Sequence, residues 1–115
     1  MIRQGDVFWI NFDKPKGHGP AYRHPYVVVQ GDIYNQSNIG TTVVCGVTSK
    51  LHRVQYPGNV LLKKGEAGLT KDSVVNVSQL YTVDKKVLSE KIGTLETERV
   101  REIILGISLL LGLAH

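Results

Sequence analysis

The stretch Arg23-His24-Pro25-Tyr26-Val27-Val28-Val29-Gln30-Gly31-Asp32 decides the fold, because a β-branched run opens directly out of a loop rich in glycine, proline and cations. Val27, Val28 and Val29 are stiff at χ1 and favour extended backbone, whereas Pro25 has no N–H to give a ladder and belongs at a strand's first residues. A strand is therefore expected to start near Pro25. The proline also biases His24 toward extended geometry, so that neighbouring side chains at the loop–strand junction point to opposite sides. A core strand meets a polar loop there, which makes the junction the place to look for chemistry.

Working outward, residues 13–22 carry Pro15, Gly17, Gly19 and Pro20 with Lys14, Lys16 and His18, a density of turn formers that argues for a loop rather than an element. Residues 2–12 read as a first strand, with Phe8, Trp9 and Phe12 expected in the core. On the other side, residues 30–40 read as a polar turn and residues 41–48 as a strand in which Gly46 marks a bulge or a close backbone approach. Turn residues at 55–58 lead to the short strand 60–62, closed by residues 63–68, and residues 73–80, extended by 81–84, form the next. Residues 85–92 fit either a helical turn or a short strand, with Gly93 and Thr94 leading into the last element. Between residues 97 and 111, Val100, Ile103, Ile104, Ile107, Leu110 and Leu111 recur at helical spacing and predict one buried face, which Gly106 and Gly112 weaken or end. Lys63, Lys64, Lys85 and Lys86 read as solvated charges. Short strands at regular spacing before one amphipathic helix predict a mainly β (β+α) fold, a small barrel or sharply twisted sheet capped by that helix, in a single domain over 1–115.

Composition narrows the class. The single Cys45 lies among valines, so no internal disulfide can form and the thiol is expected to pack as a small hydrophobe, as suits a reducing, cytoplasmic compartment. No leader pattern and no run long enough to span a bilayer is present, and no membrane association is expected. A net charge of +4 suits an anionic partner and a solvated surface equally. His18, His24, His52 and His115 are scattered and lack metal-ligand spacing, and neither a phosphate-cradling glycine loop nor a strained nucleophile elbow occurs, so no metal or other cofactor is expected.

What remains is a loop of imidazoles and cations beside a strand. Cleaving RNA requires a base for the 2′-OH proton, an acid for the leaving 5′-oxygen, and donors for the charge on the phosphorane. His18, Arg23 and His24 supply residue types for all three roles within a few positions. On spacing alone, an ordinary polar loop is the simpler reading, and Thr48 at a strand end is the simpler β-former.

The segments Arg3-Gln4-Gly5-Asp6-Val7, Pro25 through Asp32 with Asn35, Val47-Thr48-Ser49, Lys71-Asp72-Ser73-Val74-Val75 and Gln79-Leu80-Tyr81-Thr82-Val83-Asp84-Lys85, weak singly and specific together, give the chain its family likeness. It resembles the MazF/PemK-like toxins of bacterial toxin–antitoxin pairs over nearly its whole length. The resemblance implies an SH3-like barrel, a homodimer, metal-independent endoribonuclease activity toward single-stranded RNA, and neutralisation by an antitoxin whose disordered acidic tail occupies the RNA groove. Where the family usually has arginine before the proline, this chain has His24 with Arg23 one residue earlier; Gly19 replaces the usual loop acid, and Asn76 and Ser78 stand where some relatives carry an arginine and an aspartate. The roles implied are His24 and Arg23 jointly filling the arginine's place, Thr48 binding the scissile phosphate and His18 as second proton-transfer group. RNA contacts are expected at Lys14, Lys16, Tyr22, Ser49, Lys50, Asn76, Ser78 and Gln79. The rival reading, which the missing arginine favours, is a non-catalytic barrel that binds a protein target in the manner of the CcdB-like gyrase inhibitors.

Overall fold

Strands alternate their side chains between two faces, and in this chain both faces of the central strands are covered. The computed structural model describes residues 1–12 and 23–113. Among these, β1 (Asp6–Ile10), β2 (His24–Val28), β3 (Thr41–Thr48), β4 (Val60–Leu62), β5 (Ser73–Asp84) and β6 (Glu90–Thr94) form one antiparallel, curled sheet in the order β4-β5-β3-β2-β1-β6. Val7, Val27, Val29, Cys45, Val47, Val75 and Val77 meet one core together with Ile103, while Phe8, Ile10, Val28, Val44 and Val83 build a second. Burial on both faces is why residues 27–29 and 43–45 read as unbroken apolar runs instead of alternating ones.

The terminal helix α2 (Thr97–Leu110) packs Val100, Ile103, Ile104 and Ile107 against the first core. Gly112 ends it in the left-handed conformation (φ +83°), with Leu113 N–H donating to the Ser108 carbonyl and Gly112 N–H to that of Leu109, the pattern of a Schellman cap. That closing turn leaves Leu110 and Leu111 outside, 45% and 63% exposed, against the expectation that they share the buried face. Gly106 does not weaken the helix's seating. It lies buried where any Cβ would overlap the Gly58 carbonyl oxygen, so its absent side chain is what admits the loop before β4. No helix among the described residues is long and apolar enough to cross a membrane.

The curl is closed by contacts that sequence periodicity does not encode. The turn Glu66–Gly68 packs on β6, where a Cβ on Gly93 would overlap the backbone of Ala67. Glu66 then grips α2, its two carboxylate oxygens accepting from Arg99 Nε at 2.8 Å and Nη2 at 3.0 Å. These bonds hold the Glu66 carboxyl below its ordinary titration range and push the Arg99 guanidinium up.

Several of the segments responsible for the family likeness are fasteners. The predicted first strand is shorter than residues 2–12, because Asp6 turns back to accept the Arg3 N–H (3.0 Å) and the Thr94 hydroxyl (2.8 Å), with Gly5 at φ +99° making that turn. The expected polar turn at 30–40 contains a one-turn helix, α1 (Asp32–Asn35). Buried Asn35 donates to the Gln30 carbonyl (2.8 Å) and to Asp32 (3.1 Å), and it accepts from the Gln30 amide (3.0 Å) and the Thr42 hydroxyl (2.9 Å). Asp32 in turn accepts the Gln4 N–H at 2.7 Å. Lys85, expected to be a solvated charge, donates to the carbonyls of Asn35 and Ser37. Residues 85–92 resolve into both options: a 3₁₀ turn Lys85–Val87, capped by Asp84, and then β6, which takes in Gly93 and Thr94. Phe8 is core as expected, but Trp9 is only half-buried and Phe12 is 43% exposed, because β1 ends at Ile10 and Phe12 stacks edge-on with Tyr26 and against Tyr81.

Candidate functional site

The register of β2, β3 and β5 places Tyr26 opposite Gly46 and Gly46 opposite Asn76, and one step along β3 the pairing slips. Cys45 faces Leu80, so Val77, Ser78 and Gln79 have no partner on β3 and form a bulge. Asn59 stabilises it by accepting the Val77 N–H at 3.0 Å and donating to the Arg53 carbonyl at 2.9 Å and to Asn76 Oδ1 at 3.4 Å. The bulge carries the Gln79 amide over Gly46, into the space a Cβ would fill. The bulge expected at Gly46 is therefore present, with its extra residues on β5, whereas the close backbone approach is not: a side chain fills that space.

Beside this bulge opens a groove of about 600 Å³, walled by the first residues of β2, the end of β3, the 3₁₀ turn Leu51–Gln55, the segment before β5, and β5 itself. Arg23, Lys50, Arg53 and Lys71 line it together with His24, and among the described residues no carboxylate does. Such a wall attracts anions. Arg23 is the most committed of these cations: its guanidinium lies 4.7 Å over the Trp9 ring, and Nη1 donates to Glu90 at 2.7 Å. His24 is exposed at the start of β2, paired with Ile10. Thr48 is half-buried, and its Oγ1 accepts the Lys50 N–H at 3.2 Å, which leaves the hydroxyl hydrogen for a ligand.

Of the residues expected to form the site, Arg23, His24, Thr48, Ser49, Lys50, Asn76 and Gln79 converge on this groove. Ser78 does not line it; its hydroxyl donates to Asn76 Oδ1 at 3.1 Å. Lys14, Lys16, His18 and Tyr22 lie outside the described residues. Sequence reasoning missed Arg53 and Lys71, which sit in turns without a periodic signature, and the placement of Trp9. Cys45 is buried beneath the groove floor with its thiol donating to the Asn76 carbonyl at 3.1 Å; burial pushes its pKa up to about 12, which disqualifies it as a nucleophile. Among the described residues no group of three His, Cys, Asp or Glu side chains gathers to hold a metal.

Residues 3–111 match the family described as the PemK-like, MazF-like toxin of type II toxin–antitoxin systems. The chain is 33% identical over 113 residues to Endoribonuclease MazF6 of Mycobacterium tuberculosis and to Endoribonuclease MazF2 of Mycobacterium bovis, each time across 98% of this chain and 99% of the relative. Among solved structures it is similar to an endoribonuclease in complex with its cognate antitoxin from a mycobacterial species, with a TM-score of 0.80 at 21% identity over 100% of this chain and 99% of the other. It is also similar to MazF from Deinococcus radiodurans, with a TM-score of 0.72 at 26% identity over 96% of each. A curled antiparallel sheet with a C-terminal helix, a cation-walled groove where β2 begins, and a match that runs almost from end to end lead to one conclusion: this chain belongs to the PemK-like, MazF-like toxin family.

Proposed function

We propose that this toxin is an endoribonuclease that takes single-stranded RNA into the groove and cleaves it without a metal ion. The observation that carries the proposal is the lining itself: among the described residues, four cationic side chains, an imidazole and a threonine hydroxyl with no carboxylate. A metal-dependent nuclease needs anionic ligands at the reacting phosphate, whereas this set suits direct stabilisation of a phosphorane. The 2′-oxygen attacks phosphorus as a base removes its proton, the bond to the 5′-oxygen breaks, and an acid protonates that leaving oxygen. His24 is the groove's proton-transfer group, Thr48 donates to the scissile phosphate, and His18 is the second proton-transfer group. Incubating the pure protein with long RNA in EDTA should yield fragments ending in a 2′,3′-cyclic phosphate and a 5′-hydroxyl. Intact RNA, or fragments bearing 5′-phosphates, would overturn the mechanism, and intact RNA together with inhibition of a protein target would favour the binding-module reading.

The same reading gives the toxin a cytoplasmic site of action and an antitoxin whose acidic, disordered tail covers the groove and so excludes RNA. It also makes the toxin a homodimer. Leu105, Leu109, Leu110 and Leu111 expose 59%, 39%, 45% and 63% of their surface along one end of α2, a concentration of large apolar side chains typical of an interface. Light scattering at micromolar concentration should return about twice the 12.7 kDa chain mass; a concentration-independent monomer would sink the assignment.

A further inference from the structure

Arg53 stands apart from the other cations of the groove. Its backbone is fixed on both sides, the N–H donating to the Lys50 carbonyl at 3.1 Å and the carbonyl accepting from Asn59 at 2.9 Å, so the 3₁₀ turn presents this side chain from a rigid mount. Asn59 is the residue that also holds the bulge of β5, which couples the position of Arg53 to that of Asn76 and Gln79. Yet the Arg53 Nε is buried without a hydrogen-bond partner, and among the described residues no carboxylate forms an ion pair with this guanidinium. A guanidinium that is partly desolvated and has no counter-charge is costly, and one that faces a groove is suited to an anion that supplies the charge from outside. Arg23, by contrast, is already completed by Glu90 and Trp9.

We propose that Arg53 is the phosphate-binding guanidinium of this groove, donating from its terminal nitrogens to the non-bridging oxygens of an RNA phosphodiester that Thr48 also contacts. The proposal rests on the reading of the groove as an RNA site. It deepens that reading by moving the main phosphate clamp from the start of β2 to the turn after β3. A planar, permanently charged fork matches two phosphate oxygens in a way that the flexible ammonium groups of Lys50 and Lys71 do not.

The test measures binding and cleavage separately. Binding uses a short single-stranded 2′-O-methyl oligonucleotide of mixed sequence, which cannot be cleaved, titrated across a range of salt concentrations; cleavage uses total RNA. Arg53→Ala should weaken binding at least tenfold and flatten the slope of log affinity against log salt by about 0.7, the loss of one phosphate contact to a single strand. It should also slow cleavage roughly 10²-fold, in a way that added guanidinium ion partly restores, the scale expected for removing one positioned donor. Arg53→Lys should keep the salt slope but not the cleavage rate, while Arg101→Ala, on an exposed face of α2, should change neither. Should Arg53→Ala fail to fold, Arg53→Gln gives the same reading. A wild-type salt slope and affinity in the charge-removing variant overturns the role of Arg53 even if the wild type cleaves RNA. A wild type that binds through Arg53 but leaves RNA intact overturns the nuclease reading and keeps the clamp, and a wild type that does neither overturns both.

Discussion

Replacing His24 by alanine is expected to slow RNA cleavage by roughly 10²-fold, about 2.7 kcal/mol of transition-state stabilisation, the usual contribution of a positioned acid or base. The imidazole is exposed at the head of β2, held extended by Pro25, and it shares the groove with Thr48 and the cations that would surround a phosphate. Histidine changes charge within the range where such enzymes work, whereas arginine does not. His24→Arg should therefore keep the attraction for RNA while erasing whichever limb of the pH–rate profile the imidazole produces. His52→Ala is the matched control, since His52 does not line the groove and should cost little. Full activity in His24→Ala would remove the residue from the mechanism. Cleavage that survives a 2′-deoxy substitution at the scissile nucleotide would remove the 2′-oxygen as nucleophile.

The other large effect is one of packing. In most helices a glycine changed to alanine gains about 1 kcal/mol of helix propensity. At Gly106 the new methyl would overlap the carbonyl oxygen of Gly58, which is backbone and is itself set at φ +81°, so neither partner can yield by changing rotamer. Pushing α2 away from the loop before β4 would also loosen Ile103 and Ile107 from the core. Gly106→Ala is expected to lose about 2 kcal/mol or more, the scale of overpacking a tight contact, and to lower Tm by roughly 10 °C. Gly40→Ala, where a Cβ would meet nothing, should stay within about 0.5 kcal/mol of the parent. Thermal melts at one fixed protein concentration decide this, because oligomerisation would otherwise shift Tm by mass action. A Gly106→Ala protein as stable as the parent would show that the contact is not tight.

The sequence was most legible where structure is locally determined. Residues 41–48, 60–62 and 73–84 form the strands that their β-branched content predicts, and the helix ends within a residue of where its spacing runs out. It was least legible where long-range hydrogen bonds override local preference. Nothing within residues 2–5 announces that Asp6 will turn the chain, because its partners include Thr94, 88 positions away. The single turn of α1 is likewise held by a network reaching Gln4 and Thr42 rather than by helix propensity. The site divides along the same line. His24 could be named from the loop–strand junction and Thr48 from the family resemblance, whereas Arg53 and Lys71 reach the groove through turns, and the Arg53 turn is tied by Asn59 to the bulge of β5. Much of the family likeness proved to be architecture: Gly5, Asp6, Gln30, Asp32 and Asn35 fasten the sheet and touch no part of the groove.

That fastening bears on how such a toxin can diverge. The network around Asn35 grips β2 and β3 at the end where they meet α1, whereas the groove uses their other ends, and the side-chain hydrogen bonds of Asn35 and of Thr48 involve different residues. If the groove binds RNA as proposed, substitutions at Lys50, Arg53 or Lys71 are expected to alter what it prefers without drawing on the interactions that hold the sheet in register. On that reading, target choice and foldability are separate heritable traits in this scaffold, and one can drift while the other is kept under selection.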